Sequence, residues 1–128
     1  MTITITLTEA QARAVAAACD LAGRVAMGQW RDVRYACHTA ETDMDNLDLV
    51  DDLLMTAKHL HMPTLPLNAY HGIRSPAIDV QAKRATDVGD VLRHAVAWAK
   101  TPTGGITVDF DPPRSISGDA LPVATVAE

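Results

Sequence analysis

At 128 residues, with 48% apolar but only 4% aromatic content, the chain is sized for one domain whose core must be built from Ala, Val, Leu and Ile. Its formal net charge of −5 argues against a duplex DNA or anionic membrane partner, because both require a concentrated cationic face. No apolar run approaches the roughly 18 residues that a membrane-spanning helix needs.

The acidity is local. Glu41, Asp43, Asp45, Asp48, Asp51 and Asp52 fall in one stretch without Lys or Arg, and removing these six acids from the −5 total leaves +1. The remainder can therefore present a small positive pocket. Cys19 and Cys37 fall in helical patterns with no secretory h-region before them, so they read as reduced thiols in a cytosolic protein. A disulfide remains open as the alternative.

Strict alternation over "TITITL", Thr2 to Leu7, puts Ile3, Ile5 and Leu7 on one face and predicts a strand. Thr8 and Gln11 then form a capping-box pattern, opening a first helix over "EAQARAVAAACDLAGRVAM" that stops at Gly28. "QWRDVRYACHTA" predicts a second helix with Trp30, Val33 and Cys37 on one side and Arg31, Arg34 and His38 on the other. A third helix is expected from about Asp43 to Asp45 through His61, burying Leu47, Val50, Leu53, Leu54, Ala57 and Leu60.

Met62 to Pro76 is the longest irregular segment, broken by Pro63, Pro66, Gly72 and Pro76. Ser75-Pro76 predicts the start of a fourth helix running to about Lys100. "GGITVDF" then predicts a second strand, with Ile106, Val108 and Phe110 inward. The expected architecture is α+β and mainly α: about four helices with a small antiparallel strand pair joining the N- and C-terminal segments. It forms a single α+β domain over residues 1–112, followed by an irregular C-terminal tail over 113–128. A lone strand pair is marginal in water, so it must pack on the helices or be extended by another subunit.

Several stretches carry a resemblance. "ITLTEAQARAV", "ACDLAGRVAMGQW", "NAYHGIRSP", "VLRHAVAWAK" and "GGITVDFDPP" resemble a family of small tailed-phage and prophage proteins over nearly the whole chain. The resemblance rests on the Gly28-Gln29 turn, the Tyr70 to Pro76 loop, the Arg93-His94 pair and the Gly-Gly-Ile-Thr-Val-Asp strand. It implies an accessory or anti-defence role in the cytoplasm of an infected bacterial host. Within that role it suggests a nucleotide sponge, which oligomerises and sequesters the signals of bacterial immunity.

Three groups of residues carry candidate chemistry. A helix opening at Ser75 would offer free N–H groups to an anion, with Gly72 permitting close approach, Arg74 forking onto phosphate, and Tyr70 or His71 stacking on a base. The alternative is a proline-stiffened connection with an ordinary cap. Arg24, Gln29 and Trp30, with Arg31, Arg34 and His38, could complete a phosphate and base site, or form a solvated face over a core Trp. Asp90, His94 and Trp98 lie at i, i+4 and i+8 beside Arg93, a spacing that suits acid–base chemistry or a plain surface pair.

His59 and His61 are two apart, which points them to different helix faces, so no metal site is expected. The GxSxG, Walker and GxGxxG patterns are absent from the sequence. The resulting expectation is a non-enzymatic homo-oligomer without cofactor that binds a cyclic nucleotide or ADP-ribose-type ligand. Arg24, Arg74, Arg84 and Arg93 would contact phosphate, Trp30, Tyr70 and His71 the base, and Gln29 and Ser75 would add polar contacts. The alternatives are a protein-binding inhibitor acting through the acidic 41–52 segment, and a small hydrolase or nuclease using His71 or His94.

Overall fold

Helix α1 spans Glu9–Met27 in the computed structural model, which describes residues 1–36 and 41–127. Its start is the capping box that Thr8 and Gln11 predict: Gln11 N–H donates to Thr8 Oγ1 at 3.2 Å, and Thr8 N–H donates to Gln11 Oε1 at 2.9 Å. Its end is Gly28, whose φ of 96° lies in the left-handed region, and a Cβ there would meet Leu65 Cδ2 at 3.0 Å.

After a 3₁₀ turn over Trp30–Asp32, α2 covers only Val33–Ala36. Cys37 and His38, predicted to continue this helix, lie outside the described residues. A second 3₁₀ turn over Met44–Asn46 leads into α3, Leu47–His61, and α4 spans Val80–Lys100. A third 3₁₀ turn covers Val108–Phe110.

The main packing unit is the antiparallel pair α1 and α4. Lys100 Nζ at the end of α4 pairs with Glu9 Oε1 at the start of α1, 2.8 Å apart. The backbones approach closely through small residues: a Cβ on Gly89 would stand 2.9 Å from Cys19 Cβ, and one on Gly23 would stand 2.8 Å from Thr86 Oγ1. Ala12, Ala16 and Val91 are buried in the two helices, and Cys19 is a half-buried free thiol whose pKa burial pushes up.

The fourth helix begins at Val80 rather than at Ser75. Asp79 Oδ1 accepts from Gln81 N–H at 2.7 Å and wins the cap, while Ser75 Oγ accepts from Ala77 N–H inside a turn that buries Ile78. The anion site expected at a helix end on Ser75 is therefore absent.

The predicted strand pair is also corrected, and with it the α+β class. Among the described residues the regular structure is all helical, with four α-helices and no strand. The cause lies at residues 104–110. Phe110 folds back edge-on to Trp98, with ring centroids 5.5 Å apart, and fills space that a side chain on Gly105 would occupy. Trp98 Nε1–H donates to Phe110 O at 3.2 Å, and His94 Nδ1 lies 2.9 Å from Asp109 O. Side chains of α4 thus take backbone acceptors that a ladder would have used. Deprived of this partner, Thr2 to Leu7 has no sheet to join, and Ile3 and Ile5 are exposed.

Residues 113–127 carry no helix or strand but are tied to α4. Asp87, buried on α4, accepts from Ile116 N–H at 2.8 Å, Ser117 N–H at 3.2 Å and Ser117 Oγ–H at 2.5 Å. Arg84 Nε meets Asp119 at 2.6 Å. The loop over 62–76 has an anchor of its own. Lys58, buried on α3, donates from Nζ to Leu67 O at 2.8 Å and to Ala69 O at 2.5 Å.

Candidate functional site

Of the nine side chains singled out for a ligand, Arg24, Gln29 and Arg93 are brought together. Arg24 Nε donates to Asp20 Oδ2 at 2.6 Å, and its Nη1 reaches Asp32 at 3.0 Å and Gln29 Oε1 at 3.3 Å. Arg93 approaches the other oxygen of Asp20 at 3.7 Å and Asp109 at 3.6 Å, and hydrogen-bonds to Asp90. The two long approaches exceed hydrogen-bond range, so Nη1 and Nε of Arg93 remain available as donors.

The other six are placed elsewhere. Trp30 donates to Val25 O at 3.0 Å, with its ring 5.5 Å from that of His61. His71 N–H donates to Met27 O at 2.8 Å, docking the loop beside the end of α1, while Tyr70 is exposed. Arg74 reaches Ser115 O at 3.3 Å, Ser75 caps its local turn, and Arg84 is held by Asp119. The 70–75 loop meets the Gly28 turn through the His71 backbone, while among the described residues no hydrogen bond or ion pair joins the side chains of Tyr70, His71, Arg74 or Ser75 to Arg24, Gln29 or Arg93.

A groove of about 680 Å³ lies instead between α1, α4 and the Val108–Phe110 turn. Arg13, Arg24, Arg93 and Lys100 line it, opposed by the carboxylates of Asp20 and Asp109. Its apolar lining includes Ala12, Ala16, Val96, Ala97 and Phe110. Arg13 and Lys100 were missed in the sequence, yet Arg13, Asp20 and Arg24 recur at i, i+7 and i+11, a spacing that places them on one side of α1.

Burial pushes the Asp90 carboxyl above its ordinary range, and its pairing with Arg93 only partly offsets this. A carboxyl whose folded pKa is raised contributes stability below its unfolded pKa and loses it as pH rises through the folded value. Asp90→Asn should therefore compare better with the wild type at pH 7 than at pH 4. Chemical denaturation at the two pH values checks this, and an unchanged difference would contradict it.

His94 is turned toward Asp109 O, while Asp90 pairs with Arg93, so the i, i+4 spacing does not form an acid–base dyad. Arg34 is likewise committed, to Asp51 at 2.7 Å and to the Tyr35 hydroxyl at 2.8 Å. Arg31 lines a second groove of about 730 Å³ between α3 and the 63–67 loop, together with Asp52, His59 and Leu65. Among the described residues, no group of three or more His, Cys, Asp or Glu is arranged to hold a metal ion, and no helix is long and apolar enough to cross a membrane. No protein-family model, curated protein or solved structure matches the chain.

Proposed function

We propose that the protein binds and sequesters a small phosphorylated ligand in the α1–α4 groove without turning it over. The observation that carries the reading is the convergence of four cationic side chains on a pocket with an apolar lining, where Asp20 and Asp109 also line the groove and Glu9, Asp32 and Asp90 are further ion-pair partners of the same cations. Arg93 keeps two donors clear of hydrogen bonds there, and a guanidinium offers phosphate the forked geometry it prefers. Phe110 and the alanines supply the surface for a base or ribose.

A cyclic nucleotide or ADP-ribose-type immune signal is the ligand class implied by the resemblance to phage proteins. That resemblance also makes the protein an anti-defence factor of the infected host's cytoplasm. The phosphate contacts move accordingly: Arg24 and Arg93 keep the role expected of them, and Arg13 and Lys100 replace Arg74 and Arg84.

Arg13 and Lys100 are exposed, so the double variant R13Q/K100Q should keep its melting temperature while losing about tenfold or more in affinity, the scale of one charge-assisted contact. Calorimetric titration of both proteins with the tightest nucleotide of a cyclic dinucleotide, cyclic trinucleotide and cyclic ADP-ribose panel reads this. Equal affinities would place the ligand outside the groove.

A further inference from the structure

Helix α3 is apolar on two opposite sides. At 100° per residue, Leu47, Leu54 and Lys58 share the side turned toward the rest of the chain, and Leu49, Leu53 and Leu60 form a stripe on the other. The second stripe is uncovered: Leu53 is 62% and Leu60 77% exposed, and Leu49 is exposed as well. The sequence periodicity expects Val50, Leu53, Ala57 and Leu60 to be buried, yet α3 packs on α2 and the two neighbouring 3₁₀ turns and not on α1 or α4.

The chain exposes 9054 Å², whereas a compact monomer of its mass should expose about 6,600 Å². Part of that excess lies in the extended ends, at Met1, Ile106 and Val123, and part on α3, at Leu49, Leu53 and Leu60.

We propose that the exposed stripe of α3 is the seam of a twofold homodimer in which two copies of α3 pack antiparallel. The charges select this occupant and this direction. Asp52 in the first half of the helix and His59 in the second flank the stripe on the same edge, and neither makes an ion pair among the described residues. An antiparallel copy that sets Leu49 beside Leu60 and Leu53 beside Thr56 puts Asp52 opposite Ala57, about 3 Å along the axis from the His59 of the other copy and on the same edge. A parallel copy would set the edge bearing Asp52 and His59 against the opposite edge of its partner, at Val50 and Ala57, and would leave the two charged residues apart. The 730 Å³ groove along the same edge, walled by Met55, Leu65, Pro66 and Leu67, gives the second helix a surface beyond the stripe. The contact is isologous and closes on itself, leaving no apolar edge to propagate. It is independent of the ligand groove on α1 and α4.

Sedimentation velocity of the full chain, from micromolar to hundred-micromolar, tests it. The wild type should sediment at twice the 13.7 kDa chain mass. Leu53→Glu should sediment as a monomer with an unchanged circular dichroism spectrum, and Leu60→Gln should weaken association without touching the fold. Asp52→Lys should weaken the dimer, and D52K/H59E should restore it, which a parallel pairing cannot do. Should Leu53→Glu unfold, Leu60→Gln and the charge pair still decide. A monomeric wild type would overturn the proposal and leave the stripe to a different protein. A dimer indifferent to both leucine substitutions would overturn the seam, and failure of D52K/H59E to restore association would overturn the antiparallel arrangement.

Discussion

Asp87→Ala should cost the fold about 3 kcal/mol, lowering the melting temperature by roughly 10 °C. The carboxylate is buried on α4, and its oxygens accept from the two amides of Ile116 and Ser117 and from the Ser117 hydroxyl. Truncation strands all three donors and releases the turn that Ser115, Gly118 and Asp119 build around it. Loss of the anchor should free the tail first, so hydrogen exchange at residues 115–119 should speed up at temperatures where α1 and α4 remain protected. Asp87→Asn should fall between, because an amide can accept from one donor but presents its own N–H groups to the others. A loss under about 1 kcal/mol for Asp87→Ala would mean the tail contributes little to the fold.

Lys58→Ala should be nearly as damaging, at about 2–3 kcal/mol, for a different reason. The ammonium satisfies the carbonyls of Leu67 and Ala69, and its stem packs where the chain turns at Gly28. Removing it opens a cavity beside Leu65 and Met62 and leaves the carbonyls of Leu67 and Ala69 without this donor. Burial pulls the pKa of Lys58 down, with neighbouring Arg31 adding to the effect, so the charge itself is held at a cost. Lys58→Met separates the two contributions: it keeps most of the stem packing and loses only the hydrogen bonds, so its loss should be about half as large. Limited proteolysis within 62–69 reports the loop directly. Equal resistance in wild type and Lys58→Ala would show that something other than the lysine holds it.

Neither anchor was legible in the sequence, and the reason is physical. Asp87 and Lys58 are charged residues inside helical patterns, where solvated positions are the usual expectation, and their partners are backbone groups 9 to 30 residues away. The local signals read well. Thr8 with Gln11 and Gly28 place both ends of α1 where they are observed, because capping chemistry is confined to a few residues.

Competition between local signals read less well. Ser75-Pro76 and Asp79 are both helix-start signals, but only Asp79 caps a helix, while Ser75 closes the turn that buries Ile78. The alternation in 2–7 and 106–110 is a real strand pattern, but Trp98 and His94 capture the second segment by contacts no periodicity encodes. The groove was half legible: Arg24 and Arg93 were chosen for their charge, while Arg13, Lys100 and Phe110 meet them only because α1 and α4 run antiparallel.

The most direct test is a titration of the purified wild-type chain against cyclic di- and trinucleotides, cyclic ADP-ribose isomers and mononucleotides, with each ligand recovered afterwards and chromatographed. Sequestration predicts a saturable complex with one ligand class, a melting point raised in keeping with about 2.7 kcal/mol at 100 times Kd, and ligand returned intact. Ligand returned cleaved would make the protein an enzyme, and no binding across the panel would contradict the account.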